Sequence, residues 1–318
     1  MRITFATAPG TESRPNEDFV LATTQAALVL DGAGGPPELG SGCIHGTPWY
    51  VETLGVRVMD LLITRRGIPL TDALAEGVSQ VAALHVDTCD LLNPGTPSAT
   101  AVLIREHEQR LDYLVLSDAV LVLDGPDGIR HLADRRIDEI GPEIRERMNK
   151  FRPGTPEHQA ERLQLVAEQH RPRNRPGGHW VAATMPEAAY QALAASLPLR
   201  DLGRMALLSD GAARYVDFAL GGWVDLMAVL TKQGPEGLIA QVRQAEDGDA
   251  DGVRFPVQSV TTTLPPCWQR SEISRLVRHA RRGFSRLSEV RIFCKYIYLL
   301  VQESDHQFVN FFRIRPLR

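Results

Sequence analysis

Long apolar runs, paired cysteines and lysines are all scarce in this chain. No stretch approaches the roughly 18 consecutive apolar residues of a membrane helix. The opening "MRITFATAPG" lacks the charged-then-apolar order of an export signal, so a cytoplasmic location is expected. The four cysteines, Cys43, Cys89, Cys267 and Cys294, stand far apart with no C-x-x-C spacing. Neither a zinc site nor a disulfide framework is therefore expected, and the compartment reads as reducing. No G-K-[ST] follows the glycine-rich "DGAGGPPELG", which excludes a phosphate-cradling P-loop. The serines of "PSAT" and "LSDG" sit in no G-x-S-x-G elbow.

What is present is enough for a substantial core: 318 residues, 43% hydrophobic. The net charge of −4 conceals a split. Residues 257–318 carry eleven Lys and Arg against four Asp and Glu, a net +7, while the rest carries −11. Eight of the twenty aromatics also fall in that tail. A basic, aromatic tail fits a nucleic-acid or membrane-surface segment, and equally a sequence never selected to fold.

Along the chain, 2–8 and 19–31 read as adjacent antiparallel strands, the latter broken near Thr24 and Gln25. Amphipathic helices are expected over 47–66, with Pro48 in the first turn, and 69–92. Residues 97–132 read as a meander of short antiparallel strands with turns at 106–109 and "DGPDG". Helices are expected near 134–149 and 156–170, a loop over "HRPRNRPGGHW", a buried strand ending at Asp210, and further helices to about 247.

Four places put a carboxylate at the edge of an apolar strand: Glu17 with Asp18, Asp31, Asp118 and Asp210. Each alone reads as a turn, since Asp-Gly tolerates the conformations turns require. Together they suit hard divalent cations such as Mg2+ or Mn2+, which take carboxylate oxygens and waters, with the Gly32 carbonyl as a further donor.

The order of these motifs resembles the PPM (type 2C) metal-dependent serine/threonine protein phosphatases, which read R-x-x-N-E-D, D-G-x-G, G-x-T-A, G-D-S and S-D-G. This chain has Arg14-Pro-Asn-Glu-Asp18, Val29-Leu-Asp-Gly-Ala-Gly34, Thr96-Pro-Ser-Ala-Thr-Ala101, Ser117-Asp118 and Ser209-Asp-Gly211 in that order. Ala33 matches the bacterial branch, where eukaryotic members carry His. The resemblance covers residues 1–256 as a phosphatase-like domain. It implies an α+β fold, a four-layer α-β-β-α sandwich of two antiparallel sheets flanked by helices, with a two-metal site at one end. By the same resemblance Asp31 bridges the ions, Gly32 adds its carbonyl, Glu17 and Asp210 serve one metal each, and Asp118 supports a third. Asp18 is counted among the metal ligands, and Arg14 grips the substrate phosphate. Two such ions would lower the pKa of a shared water for attack on phosphorus. No cysteine nucleophile of C-x5-R type is needed. Phosphorylated protein is the implied partner, with no nucleic acid or membrane, acted on by a monomer.

Three departures bear on this. The Arg14–Glu17 interval is one residue short, Ser117 and Ala119 replace Gly and Ser of G-D-S, and a leaving-group acid is missing at Ala33. His45 in "GCIHG" is the candidate replacement acid, against a structural role; His179 reads as a loop residue near the cleft mouth. The family's closing carboxylate is also missing. With G or C at third codon positions, "VTTTLPPCW" read one frame over gives "DDDAAAVL", so 257–318 is read as an atypical, poorly ordered tail from a frame change. Asp247, Asp249 and Asp251 are the candidate substitutes. Two further readings stay open: a catalytically inactive phosphatase-like binding protein, and an unrelated α/β protein with acidic turns.

Overall fold

The computed structural model describes residues 1–10, 15–249, 252, 254–255 and 298–302; expectations for Arg14, Asp251 and the order of most of the tail lie outside the described residues. Two five-stranded antiparallel sheets form its centre. One runs β2 (Asp18–Ala22), β3 (Ala26–Ala33), β4 (Ser98–His107), β5 (Arg110–Leu116) and β8 (Leu193–Pro198). The other runs β1 (Arg2–Ala6), β10 (Tyr298–Gln302), β9 (Arg204–Leu208), β6 (Val120–Gly125) and β7 (Gly128–Leu132).

Side chains alternate along a strand, so each sheet has two faces to cover. Ala27, Val29, Val102 and Ile104 of the first sheet meet Leu121, Leu123, Met205 and Leu207 of the second, forming the inner core. Residues one step out of phase, Leu28, Leu30 and Leu103, pack instead on α1 (Gly46–Thr64) and α2 (Leu70–His85) through Leu54, Val58, Leu74 and Val78. On the far side Val122, Ala206 and Leu208 pack on α5 (Asp210–Asp217) and α6 (Trp223–Asp247) through Ala212, Tyr215, Leu226 and Leu238. This is the expected four-layer α-β-β-α sandwich. Both faces of β3 and β4 are covered, which is why they read as continuous apolar runs. Leu54 and Leu74 are fully buried, each contributing roughly 1.5–3 kcal/mol through burial.

Local chemistry sets the connections. His107 pairs with Arg110 across a two-residue turn whose residues, Glu108 (φ 50°) and Gln109 (φ 61°), both take left-handed backbone, matching the twist of the hairpin. α4 (Pro156–His170) begins where Thr155 Oγ1 accepts the His158 N–H at 3.3 Å, with Pro156 in the first turn.

Several expectations change. β1 joins the second sheet and is not a neighbour of β2. α2 stops at His85, and 86–92 turn away. The expected helix over 134–149 splits into a 3-10 turn, Arg136–Glu139, and α3 (Pro142–Met148), because Gly141 adopts φ 63° between them. The last two expected helices run together as α6 through a kink at Gly234 (φ 74°) ahead of Pro235. Within the tail read as poorly ordered, Tyr298–Gln302 forms β10, which pairs antiparallel with both β1 and β9, so the second sheet is continuous.

Candidate active site

The strand registers bring the acidic residues to one end of the sandwich. Asp18 lies directly opposite Asp31 in the β2–β3 pair. Val120 lies opposite Leu208 in the β6–β9 pair, so Asp118 and Asp210, each two residues beyond that rung, leave the sheet on the same side. The Asp210 N–H donates to Asp31 Oδ2 at 3.4 Å, closing the gap between the sheets. Glu17, Asp31, Asp118 and Asp210 consequently line one cleft of about 330 Å³.

Small residues make the convergence possible. The Gly32 N–H donates to the Glu17 carbonyl at 2.9 Å, and a Cβ at Gly32 would collide with that carbonyl and lie 2.7 Å from Thr47 Cγ2. A Cβ at Gly34 would lie 2.5 Å from Thr47 Oγ1 and 3.3 Å from Glu17 Oε1. Asn16 Oδ1 accepts the Asp18 N–H at 3.0 Å, forming the turn that presents Glu17. Ser117 takes φ 65°, a conformation that favours glycine, which explains why Gly suits the position before Asp118.

The carboxylates repel one another. Asp31 is pushed well above the ordinary carboxylate value, first by burial and then by Asp18, Asp210 and Asp118. Asp118 is pushed up to about 7, by burial and then by Asp210. Asp217, also in the cleft, is raised by burial against the lowering pull of Arg135, with Asp210 adding to the rise. Crowded oxygen donors of this kind are what hard divalent cations satisfy, and the residues present fit Mg2+ or Mn2+.

Not every expected residue lies at the cleft surface. Asp18 is buried behind Asp31 and, like Gly32, is not among the lining residues. Asp249 accepts the N–H groups of Arg254 and Phe255, the former at 3.0 Å, and neither it nor Asp247 lines the cleft. β10, Tyr298–Gln302, carries no acidic residue.

The cleft also holds groups that no motif announced. Asp138 and Asp217 add two further carboxylates. Arg173 forks onto Thr96, donating to its carbonyl at 2.9 Å and its Oγ1 at 2.6 Å; burial pulls its guanidinium down to about 10, so it stays charged at neutral pH. His179, expected as a loop residue near the cleft, does line it from a loop, 4% exposed, and its Nδ1 has no hydrogen-bond partner. Burial, and then Arg173, push it down to about 4. These residues come from loops and helix ends, where sequence periodicity carries no signal.

His45 is absent from the cleft lining. It stacks on Trp49 at 4.3 Å between centroids and gathers with Cys43, His85 and Cys89. The expectation of no clustered cysteine and histidine is therefore corrected. The Cys89 thiol sits at about 6: burial raises it, but hydrogen bonds from the Ile44 backbone and from Thr88, His85 and Cys43 outweigh that.

No protein-family model matches the chain, and no curated protein matches it in sequence. Solved structures do resemble it. The Mycobacterium tuberculosis serine/threonine phosphatase PstP/Ppp is 16% identical at a TM-score of 0.48, over 76% of this chain and 92% of that one. The PstP catalytic domain in complex with two manganese ions is 17% identical at 0.47, over 78% and 92%. The serine/threonine phosphatase Stp1 from Staphylococcus aureus is 13% identical at 0.49, over 78% and 90%. At these identities and scores the likeness carries no functional argument, and the functional reading rests on the site.

Among the described residues no helix is long and apolar enough to cross a membrane.

Proposed function

We propose that this chain is a PPM-type, metal-dependent phosphatase that hydrolyses phosphoserine or phosphothreonine on proteins. The observation that carries the reading is the meeting of Glu17, Asp31, Asp118 and Asp210, from four separate strand ends, in a single cleft. Asp31, Glu17 and Asp210, with the Gly32 carbonyl, would hold two Mg2+ or Mn2+ ions, and Asp118 would serve a third. Bound there, the ions supply an activated water and neutralise phosphate charge.

The chain's own groups account for the rest. The Asp210 N–H orients the Asp31 carboxylate, and Asp18 lies buried behind it. Arg173 is held rigid by Thr96 and gives the cleft wall a fixed positive charge toward an incoming phosphate. Arg14, by the resemblance, would add a forked grip on the phosphate oxygens. A phosphoprotein substrate, a cytoplasmic setting, a monomeric state and the division at residue 256 belong to the same proposal.

One observation favours a second reading, an inactive phosphatase-like binding protein: no acidic residue stands on β10, and Asp249 is engaged in its own turn. Mn2+-dependent release of phosphate from p-nitrophenyl phosphate and from a phosphothreonine peptide separates the two, with Asp31→Asn as the control. Activity needing both Mn2+ and Asp31 supports the enzyme. Inactivity that is cured by restoring the "DDDAAAVL" register supports a damaged family member, and inactivity in both forms overturns the enzyme reading.

A further inference from the structure

Cys43 and His45 lie on the loop that leads into α1, whereas His85 ends α2 and Cys89 sits in the turn after it. The packing of α1 on α2 brings the two pairs together, and one ligand atom from each residue lies within 4.8 Å of all the others. Cys43 Sγ is 3.5 Å from Cys89 Sγ, 3.8 Å from His45 Nδ1 and 3.6 Å from His85 Nδ1. Cys89 Sγ is 3.4 Å from His45 Nδ1. A tetrahedral zinc ion with Zn–S near 2.3 Å and Zn–N near 2.0–2.1 Å requires ligand-to-ligand edges of about 3.3–3.8 Å. The four distances just given, of the six edges, fall in that range, and the other two are no longer than 4.8 Å.

We propose that Cys43, His45, His85 and Cys89 form a structural Zn2+ site that clips the loop before α1 to the end of α2. Two thiolates neutralise the dication, so the complex carries no net charge into its partly buried setting. All four positions are protein ligands, which leaves none open for a substrate. Borderline-soft sulfur and imidazole donors select zinc, while the oxygen donors of the cleft select harder ions. None of the four residues lines that cleft.

The surroundings are built for a fixed cluster. The Asp90 N–H donates to the Gly42 carbonyl at 2.8 Å, tying the two ligand-bearing segments backbone to backbone. The Cys43 N–H donates to Ser41 Oγ at 3.3 Å, and the Cys89 N–H to the His85 carbonyl at 2.9 Å. Trp49 covers both rings, 4.3 Å from His45 and 5.1 Å from His85. His85 is 2% exposed, so its ring is held in place with Nδ1 turned toward Cys43 Sγ. A disulfide would need the sulfurs to close to about 2.05 Å and would give neither histidine a role.

Substitution of Co2+ for zinc in the full 318-residue chain tests this. Thiolate-to-cobalt charge transfer and strong tetrahedral ligand-field bands are expected, at one ion per chain that zinc displaces. Cobalt held by the carboxylate cleft gives neither feature, so Asp31→Asn should leave the bands unchanged. The Cys43→Ser/Cys89→Ser variant should lose them, together with the zinc retained on purification. Cys89→His provides a second check that does not depend on the double variant folding: the charge transfer per ion should fall to about half while the tetrahedral bands persist, since one of two thiolates remains. Absence of the bands in the reduced wild-type chain, their persistence in the double serine variant, or unchanged charge transfer in Cys89→His would overturn the proposal.

Discussion

The backbone N–H of Asp210 reaches Asp31 Oδ2 at 3.4 Å, linking the first residue of α5 on one sheet to the end of β3 on the other. The acidic cleft is thus built across the seam between the sheets. Its geometry depends on how they pack as well as on either strand alone.

Asp31→Asn separates chemistry from stability. The amide keeps an oxygen for the Asp210 N–H but removes a charge that burial and then Asp18, Asp210 and Asp118 oppose. Mn2+-dependent phosphatase activity should fall roughly a hundredfold or more. The melting temperature of the chelator-treated chain should rise. A lower melting temperature would show that the carboxylate repulsion is not felt in the folded state.

The pH dependence of the metal-free chain follows from Asp118. Its carboxyl titrates at about 7 when folded, against an ordinary 3.8. Between those values the folded chain holds a proton that the unfolded chain has lost, so stability is greatest below about 4 and declines as pH rises through about 7. Asp31, raised in the same direction, adds to the loss. This contribution makes the urea midpoint of the chelated chain higher near pH 5 than near pH 8. Mn2+ affinity should strengthen over the same rise, because cations and protons compete for these oxygens. A midpoint that climbs with pH in the chelated chain would contradict the assignment.

Gly32→Ala tests the close approach of β3 to the Glu17 turn. The added methyl meets the Glu17 carbonyl and lies 2.7 Å from Thr47 Cγ2 and 2.9 Å from Val51 Cγ1. Backbone must move, at a cost of about 3 kcal/mol or more in urea unfolding. A variant as stable as wild type would mean that the turn carrying Glu17 is not fixed against β3.

Arg173→Met removes the buried cation of the cleft wall while keeping much of its volume. Inhibition by inorganic phosphate should weaken by about tenfold, the scale of one charge-assisted contact. Unchanged inhibition would place the guanidinium in the role of bracing Thr96 alone.

What was legible in the sequence is what periodicity and strand-end chemistry encode. The apolar runs of β3 and β4 announce doubly covered strands, and Asp31, Asp118 and Asp210 each end or follow such a run. Asp138, Asp217 and Arg173 carried no such signal, because a 3-10 turn, a helix end and a loop bring them to the cleft through tertiary packing. The Cys43–His45 and His85–Cys89 pairs escaped notice for the same reason. Their meeting depends on the antiparallel course of α1 and α2, and α2 had to end at His85 for Cys89 to turn back. β8 was missed because "LAASLP" is short, rich in alanine and half-exposed. Gly141 broke α3 from its expected length through left-handed backbone that composition does not reveal.

The position of β10 also sets an order of assembly. The sheet of β2, β3, β4, β5 and β8 holds all its strands by Pro198, whereas β1 waits for partners from Tyr298–Gln302. On a ribosome the first sheet can close around α1 and α2 while the second still lacks β10, the strand that joins β1 to β9. The earliest strand synthesised is therefore among the last to be paired, and the separation slows completion of the fold through the entropy of closing so long a loop.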